Sequence, residues 1–299
     1  MARTFTFHAG LALLAACLLG LWCRARRLAV LAGVSGLIAV VPACVRPPSL
    51  APDGVLDETL TIFSHNLLFI NTDMTRTLAQ IKDADPDIIL FQEYTPTHHA
   101  ALSRALVAEY PYEVHAYKDG SYGQAIYSKL PFLDQPTITT SVCTALGAHA
   151  PGNGPQISVR VLLHDEPVTI SNVHTDAPGS VGLYRDQRHQ FAWLCDQARA
   201  SRGPAIFAGD FNATNSSQHM AALRESGMTD ALDANMLGRR CTWCDRTLLQ
   251  WAPGIRIDHV MHSRDLWCES ARVGTSTGSD HLPVIARFRV QHPMNYARW

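Results

Sequence analysis

Residues 206–213, IFAGDFNA, run an apolar stretch into a glycine and then set Asp210 and Asn212 two positions apart. Strand alternation puts both on one side of the chain. Asp and Asn also serve ordinary turns, because they bond their own backbone, so the pair gains meaning only in company. Company exists. Asn66 stands in SHNLLF, Glu93 in LFQEYTP, His174 in SNVHTD, Asp258 in RIDHV, and Asp280 with His281 in GSDHLPV. Each lies at or near the end of an apolar, strand-like run. Carboxylates and amides are the oxygen ligands of hard divalent cations. Imidazole exchanges protons near neutral pH. Polar residues delivered by so many separate strand ends predict one shared cleft.

The elements that must position them follow from periodicity. Residues 60–69, 87–93, 124–131, 156–164, 167–175, 204–212, 255–263 and 284–290 read as strands. Residues 75–84, 96–110, 184–200 and 216–226 read as helices, with Asp73 a candidate N-cap of the first. The strands 156–164 and 167–175 are separated by Asp165-Glu166 and form a hairpin pattern. Hairpins mixed with helices predict an α+β or layered α/β arrangement, not a purely parallel sheet. A chain of 299 residues with 47% hydrophobic content suits one large domain or two small ones.

The first 50 residues differ from the rest. They hold Arg3, Arg24, Arg26, Arg27 and Arg46 and no acidic residue. Residues 5–23 and 28–44 are uncharged apolar runs flanking the Arg-rich turn 24–27. Both reach the lower length limit for membrane spans, and the Arg cluster should stay cytoplasmic. The expectation is a transmembrane hairpin within 1–45, then a Pro-stiffened linker at 46–59. A domain at 60–291 and a tail at 292–299 would follow. A cleaved signal peptide is the rival, but no small-x-small site with a polar flank follows the first run. Beyond residue 50 acidic residues outnumber basic ones, and the chain has only Lys82, Lys118 and Lys129 as lysines. That balance argues against gripping nucleic acid through many phosphates. Cys241 and Cys244 form a CxxC without a second one; in an oxidising compartment they could close a short disulfide. Cys195 reads as a buried thiol.

Taken in order, Asn66, Gln92-Glu93, Asn172-Val173-His174, Gly209-Asp210-Phe211-Asn212, Asp258 and Ser279-Asp280-His281 resemble the endonuclease/exonuclease/phosphatase superfamily. That family includes pancreatic-type deoxyribonuclease, abasic-site endonucleases and neutral sphingomyelinases. The resemblance covers about Leu60 to Val290. It implies a four-layer sandwich of two mixed β-sheets flanked by helices, with the site at one edge. It also implies divalent-metal-dependent hydrolysis of phosphoesters. On this pattern Glu93, Asn66 and Asp280 would hold Mg²⁺, with Mn²⁺ an alternative. His281 would be the general base, oriented by Asp258. Asp210 would align or deprotonate the water, a division the resemblance leaves open. Asn212 would donate to a phosphoryl oxygen. His174 would bind the phosphate or protonate the leaving group, and Gln124 would touch substrate. Two positions depart from the family. His259 follows Asp258 where Tyr is usual, and His65 precedes Asn66 where an aromatic is usual. Both read as substitutions in the packing behind the site, with recruitment of Mn²⁺ or Zn²⁺ the alternative.

The resulting expectation is a membrane-anchored bacterial phosphodiesterase or phosphatase. It would sit in the inner membrane with its catalytic domain periplasmic or extracellular and act on a lipid headgroup or small phosphoester. An endo- or exonuclease acting on DNA or RNA is the alternative. A non-catalytic binding module on the same fold is the alternative of another class. It predicts loss of Glu93, Asp210 or His281, and all three are present.

Overall fold

The computed structural model describes residues 6–44, 51–140, 154–234, 241–243 and 254–291. The expected tail, residues 46–50 of the expected linker and Cys244 of the CxxC lie outside them.

Two six-stranded sheets form the centre. Sheet A contains β1 (Val55–Asn66), β2 (Ile88–Gln92), β3 (Tyr112–Ala116), β4 (Gln124–Ser128), β11 (Leu266–Val273) and β12 (Val284–Gln291), in the order β11-β12-β1-β2-β4-β3. Sheet B contains β5 (Thr137–Thr139), β6 (Gln156–Leu163), β7 (Glu166–His174), β8 (Ala205–Asp210), β9 (Met228–Asp230) and β10 (Asp258–Ser263), in the order β5-β6-β7-β8-β10-β9. Alternating apolar positions give each sheet two usable faces. Leu60, Ile62, Leu90 and Ile126 of sheet A meet Ile157, Ile170, Ile206 and Val260 of sheet B in a dry core between the sheets. The outer face of sheet A packs Phe63, Phe91 and Tyr127 under α3 (Thr75–Ala84) and α4 (Pro96–Leu106). The outer face of sheet B packs Phe207 and Met261 under α5 (Val181–Ala200) and α6 (Gln218–Glu225). The layers are therefore helix, sheet, sheet, helix, as the resemblance implied.

Each sheet contains one parallel pair, and this places the site. β1 and β2 run parallel with Asn66 opposite Gln92. β7 and β8 run parallel with His174 opposite Asp210. Parallel neighbours end at the same edge, where loops are free to build a cleft. Side chains staple the two sheets just behind that edge. Gln92 Nε2 donates to Asn172 Oδ1 at 2.7 Å, and Asn172 Nδ2 donates to the Phe91 and Ala125 carbonyls.

Three expectations are corrected. Helices do form near the N-terminus, α1 (Thr6–Trp22) and α2 (Arg26–Cys44), but no helix among the described residues is long and apolar enough to cross a membrane. The 17 residues of α1 reach only about 25 Å, against a hydrocarbon core of about 30 Å. The 19 residues of α2 begin with Arg26 and Arg27 and include Ser35 and Pro42. The extracytoplasmic placement rested on that crossing. Next, β1 starts at Val55, so the expected linker already pairs with the sheet; Val55 lies opposite Gln291. Finally, the N-cap of α3 is Met74, while Asp73 Oδ1 accepts from the Thr75 amide one step earlier.

Candidate active site

The GDFN turn is shaped by its glycine. Gly209 has φ +150°, and a Cβ there would sit 1.8 Å from the Val173 carbonyl oxygen. Only glycine lets β8 approach β7 this closely before the chain turns. The turn then uses its own polar groups. Asp210 Oδ1 accepts the Asn212 amide at 2.8 Å, which supports the left-handed Asn212 at φ +45°. Turn chemistry and site chemistry thus share one carboxylate, because Oδ1 serves the turn and Oδ2 serves the site.

That oxygen is the centre of the site. It accepts from Asn66 Nδ2 at 3.1 Å and from Asn212 Nδ2 at 3.2 Å. The Nε2 atoms of His174 and His281 lie 3.7 and 3.8 Å away. Asp258 pairs with Asp210 in the β8–β10 register. Its Oδ2 accepts from His281 Nδ1 at 2.9 Å. Asn66 spans the sheets, because the same Nδ2 reaches Glu93 Oε1 at 3.2 Å. The loop before β12 closes the ring. Ser279 Oγ donates to the Asn66 carbonyl and accepts the His281 amide. The residues 63–281 match the Endonuclease/Exonuclease/phosphatase family. The chain belongs to that family.

Members of the family are phosphoesterases and nucleases that depend on divalent metals. A UPF0294 protein of Vibrio cholerae is 33% identical over 106 residues, which cover 36% of this chain and 35% of that protein. This chain therefore spans about a third of the length of that curated relative. Among solved structures, an endonuclease/exonuclease/phosphatase from Beutenbergia cavernae superposes with a TM-score of 0.61 at 19% identity, covering 79% of this chain and 72% of the other. D. rerio TDP2 complexed with a single-strand DNA product superposes with a TM-score of 0.62 at 15% identity, covering 78% and 99%. These likenesses establish the shared fold.

Electrostatics divide the family site into two parts. In the first, Glu93 and Asp280 are carboxylates without a cationic side chain bonded to them among the described residues. Burial raises the Glu93 pKa, against the bonds from Phe69 N and Asn66 that lower it. Glu93 also adopts a left-handed φ of +56°, which turns its side chain out of the strand line. Asp280 Oδ2 accepts from Trp243 Nε1, while its Oδ1 is buried with no hydrogen-bond partner among the described residues. An orphaned buried carboxylate oxygen beside a second carboxylate and an amide is an oxygen donor set that fits a hard cation. In the second part, one imidazole lies between two carboxylates. Burial alone would lower His281, but Asp258 and Asp210 outweigh it and push the ring up to about 10. Burial and the Asp258 charge push Asp210 up to about 7 against the opposing pull of His281. Burial raises Asp258, but the His281 charge overcomes it and holds the carboxyl below its usual range. Burial, helped by His281, lowers His174 to about 4. Asp210, Asp258 and His281 also offer ligand atoms within 4.8 Å of one another.

Of the expected site residues, Asn66, Glu93, His174, Asp210, Asn212, Asp258, Asp280 and His281 all gather at this edge. Gln124 does not reach the cleft. It is fully buried, and its Oε1 accepts the Ile157 amide at 3.2 Å, so it joins sheet A to sheet B. His259 and His65 sit in the packing behind the site, 0% and 1% exposed. His65 Nε2 meets Thr277 Oγ1 at 2.8 Å; His259 meets Asp230. Sequence reasoning missed Thr242, whose hydroxyl accepts the Ile257 and Asp258 amides. It also missed Gln187, whose amide supports the Asn212 carbonyl. Neither belongs to a motif, and only the fold brings them close.

Proposed function

We propose that this chain is a divalent-metal-dependent phosphoester hydrolase in which water attacks phosphorus. The observation that carries the reading is Asp210 Oδ2, ringed by two amides and two imidazoles and joined through Asn66 to Glu93. Glu93, Asn66 and Asp280 would hold Mg²⁺ or Mn²⁺. Such an ion supplies charge neutralisation on the phosphoryl group and support for the leaving oxygen.

The chain's own residues supply the rest. His281 is pushed above the usual imidazole range by Asp258 and Asp210, which favours the imidazolium over the proton-acceptor role. It instead faces the developing phosphoryl charge as a fixed cation. Asp210 takes the base role, because its raised pKa brings it near working pH. Asn212 donates to a phosphoryl oxygen without adding charge. His174 is neutral at pH 7 and can donate or accept at Nε2.

Bis(p-nitrophenyl) phosphate hydrolysis tests the reading. We expect turnover with Mg²⁺, loss in EDTA, recovery on re-adding the ion, and a collapse for His281→Ala. Turnover that ignores both EDTA and the substitution would leave a binding module as the better account.

A further inference from the structure

α5 presents two faces with different chemistry. One turns towards the catalytic edge: Gln187 Nε2 donates to the Asn212 carbonyl at 3.0 Å, and Gln190 Oε1 accepts the Asp176 amide at 2.8 Å. On the other, Tyr184, Arg188, Ala192 and Cys195 recur three or four positions apart, which stacks them along the helix. This second face meets α6 across an open hollow of about 230 Å³, with His219 and Ala222 on the far side. The space has a local cause. Packed helices fill the gap between them with side chains, and Ala192 and Ala222 supply only methyl groups. Cys195, 4% exposed, forms part of the floor. Two polar groups in the lining lack partners. Arg188 is exposed and has no carboxylate partner among the described residues. His219 Nε2 is buried and makes no hydrogen bond among the described residues. Burial lowers the His219 pKa and the Arg188 charge adds to it, so the ring stays neutral at pH 7. The walls are aromatic. His219 stacks on Phe191 with centroids 4.8 Å apart and lies 5.4 Å from Tyr184.

We propose that the hollow between α5 and α6 binds a small aromatic carboxylate, with the anion on the Arg188 guanidinium and the ring in the space the two alanines leave. A guanidinium offers paired N–H donors that match a carboxylate. His219 Nε2, partnerless in the same lining, gives the anion a second polar contact without adding charge. A phosphate monoester would bring up to two negative charges against this one cation. Aromatic walls favour a ring over a flexible chain. Size limits the ligand, because drug-sized molecules need about 300–1,000 Å³, so a single ring is what the hollow holds. The site lies on the outer side of sheet B, away from the Asp210 cluster, and does not depend on the hydrolase reading.

Calorimetric titration of the full chain tests this with benzoate, benzamide and inorganic phosphate, in EDTA so that no metal at the catalytic edge takes the carboxylate. The wild type should bind benzoate with a Kd of about 1 mM or tighter, within reach of a ligand this small. Benzamide has the same shape without the charge and should bind at least about fivefold more weakly, and phosphate more weakly still. Arg188→Gln should raise the benzoate Kd about three- to tenfold, as loss of a charge-assisted bond at a partly exposed site does. Arg185→Gln, a neighbouring exposed arginine outside the lining, should bind as the wild type does. Ala222→Leu should abolish binding by filling the space; if that variant does not fold, Ala192→Leu fills it from an exposed position. Absence of benzoate binding overturns the inference. So does equal affinity for benzoate and benzamide or for benzoate and phosphate, and so does an equal response of Arg188→Gln and Arg185→Gln. Bis(p-nitrophenyl) phosphate turnover by Arg188→Gln should match the wild type, so failure of this site leaves the hydrolase reading where it stands.

Discussion

Two buried Asp–His groups stand back to back on β10, and they behave in opposite ways. Asp258 and His259 are consecutive, so the pleat sends them to opposite faces of sheet B. On one face, Asp258 and Asp210 share His281. On the other, His259 Nδ1 contacts Asp230 Oδ2 at 2.6 Å and its Nε2 faces the Ala213 carbonyl at 2.9 Å. Arg256 completes this second group, 3.4 Å from Asp230 and 2.7 Å from Asp233. Asp210 and Asp230 are equally buried, each 1% exposed. Burial pushes both pKa values up. For Asp230 the charges of Arg256 and His259 overcome burial and hold the carboxyl well below its usual range. For Asp210 the nearby Asp258 adds to burial, and the carboxyl ends high. The difference is a shortfall of positive charge. A group balanced by a guanidinium serves the fold, while a group short of a cation is poised to receive a proton or a charged ligand.

The largest test of this contrast is Asp210→Asn. If Asp210 is the base, kcat should fall by about 10²- to 10⁴-fold. The same change should stabilise the protein at neutral pH. A carboxyl whose folded pKa is raised binds its proton more tightly when folded. Its contribution is therefore complete below the unfolded value near 4 and is lost as pH rises to about 7. Thermal melts at pH 7.5 should give a higher Tm for Asp210→Asn than for the wild type, with the two converging below pH 4. A lower Tm at pH 7.5 would erase the claimed shortfall.

Arg256→Met probes the balanced group. Removing one partner of a buried ion pair costs about 3–5 kcal/mol, because the remaining charges stay uncompensated. Urea unfolding should record that loss, while kcat per folded molecule should stay near wild type. Asp230 has the reverse pH sign. Its folded pKa is depressed, so its contribution is present above the unfolded value near 4 and is lost as pH falls below it. Asp230→Asn should flatten the acid-side fall in Tm. If it left that slope unchanged, the guanidinium would not be what protects this group.

Much of this arrangement was readable in the chain, and the exceptions have physical causes. Long apolar runs marked β1, β2, β7 and β8, and their polar terminal residues marked the edge. β5 and β9 span three residues each, too short for any periodicity, and β11 is half exposed with Glu269, Ser270 and Arg272 along it. The N-terminal runs reach span length only when counted as 5–23 and 28–44, whereas α1 closes at Trp22 and α2 takes in Arg26 and Arg27. Sequence named both Asp258 and His259. It could not say which Asp each imidazole meets, because that depends on strand order across β8, β10 and β9.

A third comparison sets the metal candidates against the proton-handling residues. Glu93→Gln keeps the side-chain shape and the Phe69 contact but removes the charge. The Mg²⁺ concentration needed for half-maximal activity should rise by at least ten- to hundredfold, the range already seen when only an outer partner of a metal ligand is lost. Asp210→Asn should leave that midpoint almost unmoved in its residual activity. Equal shifts would merge the two parts into one charge cluster and would favour Asp210, Asp258 and His281 as the ligand set.

The smallest effect belongs to Gln124, which lies behind both groups. It stands at the start of β4, where the resemblance implied a substrate contact. Alternation instead points it between the sheets, where it accepts the Ile157 amide while its own Nε2 has no partner among the described residues. Gln124→Met preserves the volume and removes one buried hydrogen bond and one unsatisfied donor, two changes of opposite sign. The net loss of stability should be about 1 kcal/mol or less, with KM for bis(p-nitrophenyl) phosphate unchanged. A KM change for Gln124→Met without a matching loss of stability would restore it to the substrate site. It would also mean that the cleft extends deeper between the sheets than the edge residues define.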